Sequence, residues 1–390
     1  MNVVIHSNES LVFRDGRPFG AEGQVNGGAL RWPHASTVVG LLRTRIGLSR
    51  SQDYFSGENK HKNINEIKKV GATRILPLWQ GIKDGSDWLP LFPAPADAMT
   101  FPGSRENHYL VKPFTYENAF AEGGIDLPWK NWLLPISTNR EKPASDPPEL
   151  WHKKSFFTWL ETGSLTGEVS AHELGLNLPL PELRIHTAID PATGGAKTSQ
   201  LFSSQGIQLN TAAGDRQSAG RFGIGANLTQ LNQGDDPCGP CFFGGERKTA
   251  RIEKIKDFLP PIPDWFQTPS RFLRLILITP GDFNTWVPEW LEPDWNQNET
   301  NWCTIPNTSL QIRLVSALIP RWFPVSGWDY ETRGPKATRK LVPAGAVYIV
   351  ELKDPEKTNE VANCLWGRSL NSDLSDPNGA GCVCVGKLTI

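Results

Sequence analysis

Apolar and polar positions at the start of the chain predict a strand followed by an amphipathic helix. Residues 3–13 alternate weakly between apolar and polar side chains, which predicts a first strand. Pro33-His34-Ala35-Ser36-Thr37 is then typical of a helix start, with the hydroxyl of Ser36 or Thr37 accepting the first free amides. The apolar residues that follow recur on one helical face, and Gly47 is expected to end the helix.

The pattern continues with a hairpin, a second helix and further strands. Two apolar runs flank Lys83-Asp84-Gly85-Ser86-Asp87, and an Asp-Gly pair between apolar runs predicts a β-hairpin. The predicted elements of this stretch are the strands 76–82 and 88–92, the helix 149–160, and the strands 183–189 and 201–202. Strand, helix, hairpin, helix and strand is the order of the βαββαβ split unit, so the predicted fold class is α+β.

The second half of the chain is richer in predicted strands. The extended segments are 223–225, 247–255, 272–279, 310–318, 346–352 and 382–390, and residues 359–365 are expected to form a short helix. We therefore divide the chain into a domain of residues 1–215, with insertions near 49–73 and 98–148, and a domain of residues 216–390. The second domain would be a degraded copy of the first, although no residue-level repeat is visible.

Charge and hydropathy narrow the classes of function. The net charge of −1 excludes a uniformly basic nucleic-acid coat, so any phosphate binding has to come from local patches. No apolar run approaches the length of a membrane span, and polar residues interrupt the N-terminus too early for a signal peptide. We expect a cytoplasmic protein that does not bind membranes.

One basic patch lies just before the predicted strand 346–352. Its basic residues, opposed only by Glu331, are Arg333, Lys336, Arg339 and Lys340. Gly334 and Pro335 disfavour a helix here, and Gly345 gives the turn before the strand its freedom to adopt a positive φ. A basic, non-helical loop suits a strand of phosphates, because side chains and backbone amides can both reach it. On charge alone, the alternative is a solvated surface loop.

The cysteines offer a second candidate chemistry. Cys238-Gly239-Pro240-Cys241 has the spacing of a thioredoxin-type redox motif. Such a site needs a strand before it and a helix that begins at the first cysteine, whereas the residues on both sides are typical of a loop. A zinc site shared with Cys382 and Cys384, or with Cys303 and Cys364, lacks a second pair of the usual spacing. We therefore expect no metal and no cofactor.

Four short segments, taken together, resemble one protein family. They are 11–19, 33–37 with 40–44, 243–247 and 343–348. In this order they are similar to segments of the RAMP superfamily, and more closely to those of the third subunit of the type III-B CRISPR (Cmr) effector complex. Each motif is weak by itself, whereas four in the expected order are specific.

The resemblance implies a fold, a function and a set of residues. The implied fold is two ferredoxin-like (RRM-like) βαββαβ domains with loop insertions. The implied function is that of a non-catalytic subunit that binds the 5′ repeat-derived tag of the guide RNA and docks the large palm-domain subunit and the backbone subunit. Carried over onto this sequence, the RNA-binding candidates are Arg14, Arg17, Arg43, Gly244, Gly245, Arg247, Arg333, Lys336, Arg339, Lys340 and Gly345.

Two other functions fit parts of the sequence. A metal-independent guide-RNA-processing endonuclease of the same superfamily needs a general base, for which His34 and His186 are the candidates. A carbohydrate-active enzyme would use some of the fifteen tryptophans, but it needs two carboxylates at a set separation. Isolated histidines are more often structural than catalytic, and the acidic residues and tryptophans near 288–295 are typical of a loop. RNA binding without catalysis is therefore our leading hypothesis.

Overall fold

The structure is a computed structural model that describes residues 1–14, 29–81, 85, 87–118, 126–211, 219–329, 334–372 and 374–390. The helices of this part are α1 (Ala35–Arg50), α2 (Lys60–Ile67), α3 (Lys153–Thr162), α4 (Ala171–Leu174) and α5 (Thr358–Leu365), with 3₁₀ helices at Asp264–Gln267, Glu289–Leu291 and Pro355–Lys357. The strands are β1 (Asn2–His6), β2 (Gly71–Gly81), β3 (Leu89–Pro93), β4 (Ala98–Pro102), β5 (His108–Pro113), β6 (Thr115–Asn118), β7 (Leu133–Ile136), β8 (Leu150–His152), β9 (Glu168–Ser170), β10 (Gly175–Leu176), β11 (Pro181–Ile189), β12 (Ala196–Ile207), β13 (Asn210–Thr211), β14 (Gly220–Thr229), β15 (Gly239–Phe242), β16 (Thr249–Lys254), β17 (Phe272–Leu277), β18 (Cys303–Thr304), β19 (Gln311–Leu318), β20 (Phe323–Val325), β21 (Trp328–Asp329), β22 (Gly334–Pro335), β23 (Arg339–Leu341), β24 (Val347–Leu352) and β25 (Val383–Leu388). This mixture of helices and antiparallel sheets confirms the α+β class.

The first layer is a nine-stranded antiparallel sheet with β1 near its centre. Its strand order is β10-β8-β3-β2-β14-β1-β16-β15, and β13 pairs with β14. The unbroken apolar run Val3, Val4 and Ile5 suits β1, because this strand is covered on both faces. Val3 and Ile5 pack beneath α1, whereas Val4 contacts the core on the opposite face.

The helix α1 differs from the sequence prediction at both ends. His34, rather than Ser36 or Thr37, caps the helix: its ring Nδ1 accepts a hydrogen bond from the Ser36 backbone N–H at 3.2 Å. The helix continues past Gly47 to Arg50. Gly47 is needed for close packing, because a Cβ there would lie 2.5 Å from the ring of Phe55.

A second antiparallel sheet has the order β18-β19-β24-β17-β25. Every residue of β24 is buried, as expected for an apolar strand at the centre of a sheet. The helix α3 packs against both sheets. Its Phe156 stacks on Phe92 of β3 at 4.5 Å between ring centroids, and the carbonyl of Leu160 lies against Gly386 of β25. One continuous core therefore joins α3, the second sheet and the face of the first sheet that lies away from α1.

Most of the predicted strands are confirmed, but some of their partners differ from the predicted ones. The hairpin forms, with Trp79 of β2 opposite Leu89 of β3. The predicted closing strand 183–189 does not join the sheet; β11 and β12 form a two-stranded ribbon, which meets residue 11 through one isolated bridge at Ile207. Strands β14 and β16 complete the first sheet instead. Their place was not predicted because local patterning reports the strand and not its partner.

Two predicted element boundaries also change. The first predicted strand is split into β1 and isolated bridges at Leu11, Val12 and Arg14. The second helix begins at Lys153, since residues 150–152 form β8. The predicted domain boundary after residue 215 stays a prediction, and the first sheet takes strands from both sides of it. No described helix is long and apolar enough to cross a membrane.

Candidate nucleic-acid interface

A glycine-containing turn between β15 and β16 holds one of the predicted basic residues at the surface. Gly244 has φ +77°, and a Cβ at this position would lie 2.5 Å from the Val12 carbonyl. The N–H of Gly245 donates to the same carbonyl at 2.8 Å. Glu246 and Arg247 also have positive φ values, of 58° and 50°, which non-glycine residues rarely adopt. The turn is therefore fixed against residue 12 and leaves Arg247 exposed.

The segment 11–14 is the point at which three features meet. Val12 holds the glycine turn, and Leu11 exchanges two backbone hydrogen bonds with Ile207 at the end of the β11–β12 ribbon, at 2.8 and 2.9 Å. The ring of Phe13 packs edge-on against Phe243 at 4.9 Å. Arg14 is exposed at the end of this segment. The structure therefore places Arg14 and the glycine turn at one edge of the first sheet, beside the foot of the ribbon.

The basic loop before β24 is non-helical, as predicted, and is built from short strand pairs. The pairs are β20 with β23 and β21 with β22. Lys336 is exposed on this loop. Arg339 forms an ion pair with Asp282, and the Lys340 ammonium lies 4.7 Å from the ring centroid of the half-exposed Trp322. Lys336 and Lys340 are both exposed, whereas the Arg339 guanidinium is shared with a carboxylate. The predicted Arg17 and Arg333 lie outside the described residues.

Arg43 occupies a different environment from the exposed basic residues. Its guanidinium donates to the carbonyls of Val70 and Lys68 at 2.8 and 2.9 Å, and to Oδ1 of Asn378 at 3.1 Å. Burial lowers the pKa of this guanidinium below its usual value. Arg43 therefore ties α1 to the loop that precedes β25, and most of its donors are occupied within the chain.

Gly345 is buried in the turn that leads into β24. Its φ is +89°, as the sequence predicts for this turn, and its N–H donates to Leu277 O at 2.7 Å. The carbonyl of Gly345 accepts from Ala96 N–H at 2.8 Å, and a Cβ would lie 2.5 Å from Ala94 O. Gly345 therefore fixes the path of the loop through backbone contacts inside the fold.

The two candidate histidines lie in separate environments. Burial, and secondarily the charge of Arg339, lowers the pKa of His34 to about 4. His34 Nδ1 already accepts from Ser36, so this ring is a weak base with its free nitrogen buried. His186 lies on the ribbon, with Nε2 2.7 Å from Ser204 Oγ and its ring stacked on Phe202 at 5.1 Å. Within the part of the chain that the structure describes, the two imidazoles are not brought together with a partner base.

Cys241 lies on a strand rather than in the predicted loop, and Cys238 directly precedes that strand. Residues 239–242 form β15, which pairs with β16, so that part of the sequence interpretation is wrong. The Cys238 carbonyl accepts from Arg45 at 3.0 Å, and burial raises the pKa of the Cys238 thiol to about 11. A thiol with this pKa is protonated at neutral pH and is a poor nucleophile. No cluster of metal-ligating side chains forms within the described ranges.

The sequence interpretation missed the exposed ribbon. Leu183, Ile185 and Leu201 share one face of it by register, and each is more than half exposed. The alternation of apolar and polar residues in these strands is the same as in a strand with one face buried in its own chain. The pattern therefore does not show whether the apolar face meets this chain or a partner. Exposed apolar side chains that share one face of a ribbon are typical of a protein-docking surface.

Comparisons with known proteins give one strong match. The family model described as "CRISPR-associated protein (Cas_Cmr3)" matches residues 3–372. No curated protein matches the chain significantly. Among solved structures, the type III-B Cmr-beta complex bound to cognate target RNA contains a chain with 15% identity and a TM-score of 0.43, with 90% of this chain and 86% of that chain covered. A chain of the Csm3–Csm4 subcomplex of the type III-A CRISPR-Cas interference complex has 12% identity and a TM-score of 0.34, with 91% and 93% covered. At these TM-scores the structural likenesses are too weak to carry a functional inference.

Proposed function

Because the chain belongs to the CRISPR-associated Cmr3 family, we propose that it is a non-catalytic subunit of a type III-B effector complex that binds the 5′ repeat-derived tag of the guide RNA. The observation that supports this best is the convergence of Arg14, the glycine turn and the ribbon foot on residues 11–14. Exposed arginines beside a turn with accessible backbone suit a single strand, whose phosphates and splayed bases both need partners. The cytoplasm, where guide RNA is held, is the proposed location.

The strand orders support two ferredoxin-like units. The order around β1 is β2-β14-β1-β16, and the order around β17 is β19-β24-β17-β25. In both cases the first strand in sequence lies between the third and the fourth, which is the arrangement of a split βαββαβ unit. The first unit retains its first helix, α1, and the second retains its second helix, α5. Each unit therefore lacks one helix of the full pattern among the described residues.

The proposed partners are protein as well as RNA. We assign the apolar face of the ribbon, carrying Leu183, Ile185 and Leu201, to docking with the backbone subunit. The only ion pair found on the described part of the ribbon joins Glu182 to Arg184 within one strand. An uncharged apolar face fits a protein surface better than it fits a phosphate backbone. The large palm-domain subunit is the second proposed protein partner.

Neutralising either exposed basic patch is expected to weaken RNA binding without changing sequence preference. The variants are Arg14→Ala/Arg247→Ala at the glycine turn and Lys336→Ala/Lys340→Ala on the basic loop. Phosphate contacts carry little sequence information, so each double variant should lose affinity equally for tag and scrambled RNA. The dependence of log K on log salt should flatten by about 0.7 for each phosphate that the variant no longer neutralises. Fluorescence anisotropy with labelled single-stranded RNA at several salt concentrations measures both quantities.

Arg105→Ala/Arg140→Ala is the matched control, because it removes two exposed arginines that lie in other loops. Its salt dependence should equal that of the unmodified chain. If both patch variants behave like this control, the proposed RNA-binding function loses its structural basis.

The chain is expected to have no ribonuclease activity of its own. The reason is the geometry of its two candidate bases: His34 is buried with one nitrogen engaged, and His186 is paired with Ser204. Incubation of a repeat-containing RNA with the purified chain, with and without Mg²⁺, should leave the RNA intact. Cleavage at a defined site that is lost in His34→Ala or His186→Ala would favour the endonuclease alternative.

A further inference from the structure

A cleft of about 890 Å³ lies between the first sheet and the second unit, away from the proposed tag-binding edge. Lys254, the last residue of β16, lines the cleft. The glycine turn lies at the other end of this strand, directly before Thr249. The two features therefore lie at opposite ends of a six-residue strand, about 17 Å apart. The cleft is a separate surface that the proposed function does not use.

The cleft is strongly basic. The cationic side chains that line it are Arg74, Lys153, Lys254, Lys256 and Arg368, against the carboxylates Asp87 and Asp257. Lys256 and Arg368 are exposed, and neither forms an ion pair with the part of the chain that the structure describes. Lys254 lies 3.6 Å from Asp236, a weak surface pair. Such an excess of cations on a concave surface attracts anions more strongly than the same charges on an open surface.

Arg74 is delivered to the cleft by a β-bulge in β2. Gly225 pairs with Leu76 and Asn227 pairs with Thr73, so two residues of β2, Arg74 and Ile75, oppose one residue of β14. Arg74 has φ +54°, a conformation that is unfavourable for a residue with a side chain. A bulge of this kind changes the direction of a side chain, and such strained residues cluster at functional sites.

The wall of the cleft is aromatic and proline-rich. Such a wall suits a nucleotide base better than it suits a charged group. Trp88 is partly exposed there, and the Arg221 guanidinium lies 5.0 Å from its ring centroid. Gly223 lets Trp88 lie against the sheet, because a Cβ at that position would lie 2.7 Å from the indole ring. Pro260 and Pro261 form part of the facing wall. An acidic peptide would use the cations but would gain little from the indole and the prolines.

We propose that this cleft binds nucleotide phosphates, with Arg74, Lys256 and Arg368 holding the phosphates and Trp88 contacting a base. The ligand is a segment of single-stranded RNA or a free mononucleotide, since both present the same chemistry. The site is independent of the tag-binding edge and does not require the proposed function to hold.

The test compares Lys256→Ala/Arg368→Ala with Arg105→Ala/Arg140→Ala in the full chain, since both remove two exposed cations. The first readout is fluorescence anisotropy of a labelled single-stranded RNA across a range of salt concentrations. We expect the cleft variant to bind about tenfold more weakly at low salt, and its salt dependence to flatten by about 0.7 for each phosphate left without its cation. The second readout is isothermal titration with AMP, and the third is titration with poly-glutamate. Thermal melting checks that both variants fold.

The outcomes separate the sources of the ligand and the two proposals. Loss of RNA binding without AMP binding assigns the cleft to a strand of RNA, and loss of measurable AMP binding in the cleft variant assigns it to a free nucleotide. A cleft variant that matches the control for both ligands, or that loses only poly-glutamate binding, overturns the proposal. Because Arg14→Ala/Arg247→Ala is measured in the same assay, failure of the tag-binding edge is detected independently of failure of the cleft.

Discussion

Replacing Arg274 by methionine is expected to lower the free energy of unfolding by roughly 3–5 kcal/mol, because it leaves a buried carboxylate without its cation. Arg274 of β17 and Asp97 are each 2% exposed at the side chain, and Nη1 of the arginine lies 2.8 Å from Oδ2 of the aspartate. Asp97 Oδ1 also accepts from the Trp159 indole at 2.9 Å, and Arg274 Nε donates to Lys387 O at 3.0 Å. The pair therefore joins α3 to the second sheet through a network with several occupied donors and acceptors.

A matched control for this variant lies three residues earlier in the chain. Arg271 pairs with Glu351 at 2.6 Å, but its own side chain is 66% exposed, and Glu351 keeps Arg313 as a second partner. Arg271→Met should therefore cost no more than about 1 kcal/mol. Urea denaturation of both variants gives the comparison. Equal losses would show that burial of the Arg274 pair does not determine its contribution.

Replacing both partners tests whether the loss in Arg274→Met comes from the unpaired carboxylate. Asp97→Leu/Arg274→Met removes both charges, so no ion remains unpaired in the core. This double variant should be more stable than Arg274→Met alone, since the cost of one unpaired buried charge exceeds the contribution of the pair itself. A double variant less stable than Arg274→Met would contradict this explanation.

Strands that this chain buries on both faces are predicted well from the sequence. The apolar run 346–352 predicts a strand, and β24 spans Val347–Leu352 with every residue buried. The ribbon shows the limit of this reasoning. The alternation at 183–189 correctly predicts a strand, but the choice between a place in the sheet and an isolated ribbon depends on contacts with residues far away in sequence. No local pattern carries that information.

In the candidate site, too, the sequence gives the type of each residue but not its environment in the folded chain. Arg43 lies within α1 and Arg247 lies in the glycine turn; the first donates to backbone carbonyls and the second is exposed. The sequence supplies the cation in each case but not the carbonyls of Val70 and Lys68 that occupy it. The Asp97–Arg274 pair was not predicted, because its members are separated by 177 positions and only the folded chain brings them together.

Gly345→Val is expected to lower the free energy of unfolding by roughly 2–4 kcal/mol. Both the turn predicted from the sequence and a close contact in the folded chain require glycine at this position. Two causes contribute. The φ of +89° is unfavourable for a β-branched residue, and the new Cβ would lie 2.5 Å from the backbone carbonyl of Ala94. A backbone carbonyl cannot rotate away as a side chain can, so the segment 94–96 would have to shift and lose its hydrogen bond to Gly345.

Two other glycines separate these causes. Gly234 has φ +90°, and no atom lies within 4 Å of the place that a Cβ would take, so Gly234→Val carries the conformational cost alone, about 1–2 kcal/mol. Gly327 lies on the same basic loop without a positive φ, and the nearest atom to its added Cβ would be Lys336 Cδ at 3.7 Å, so Gly327→Val should change stability by less than about 0.5 kcal/mol. Thermal melting and urea denaturation should give the order Gly345→Val, Gly234→Val, Gly327→Val from largest loss to smallest.

The salt dependence of RNA binding by the folded fraction should stay unchanged in Gly345→Val, because no cation is removed. A Gly345→Val chain as stable as Gly327→Val would show that the turn does not fix the entry into β24. Normal stability combined with a flattened salt dependence would instead place Gly345 at a phosphate contact.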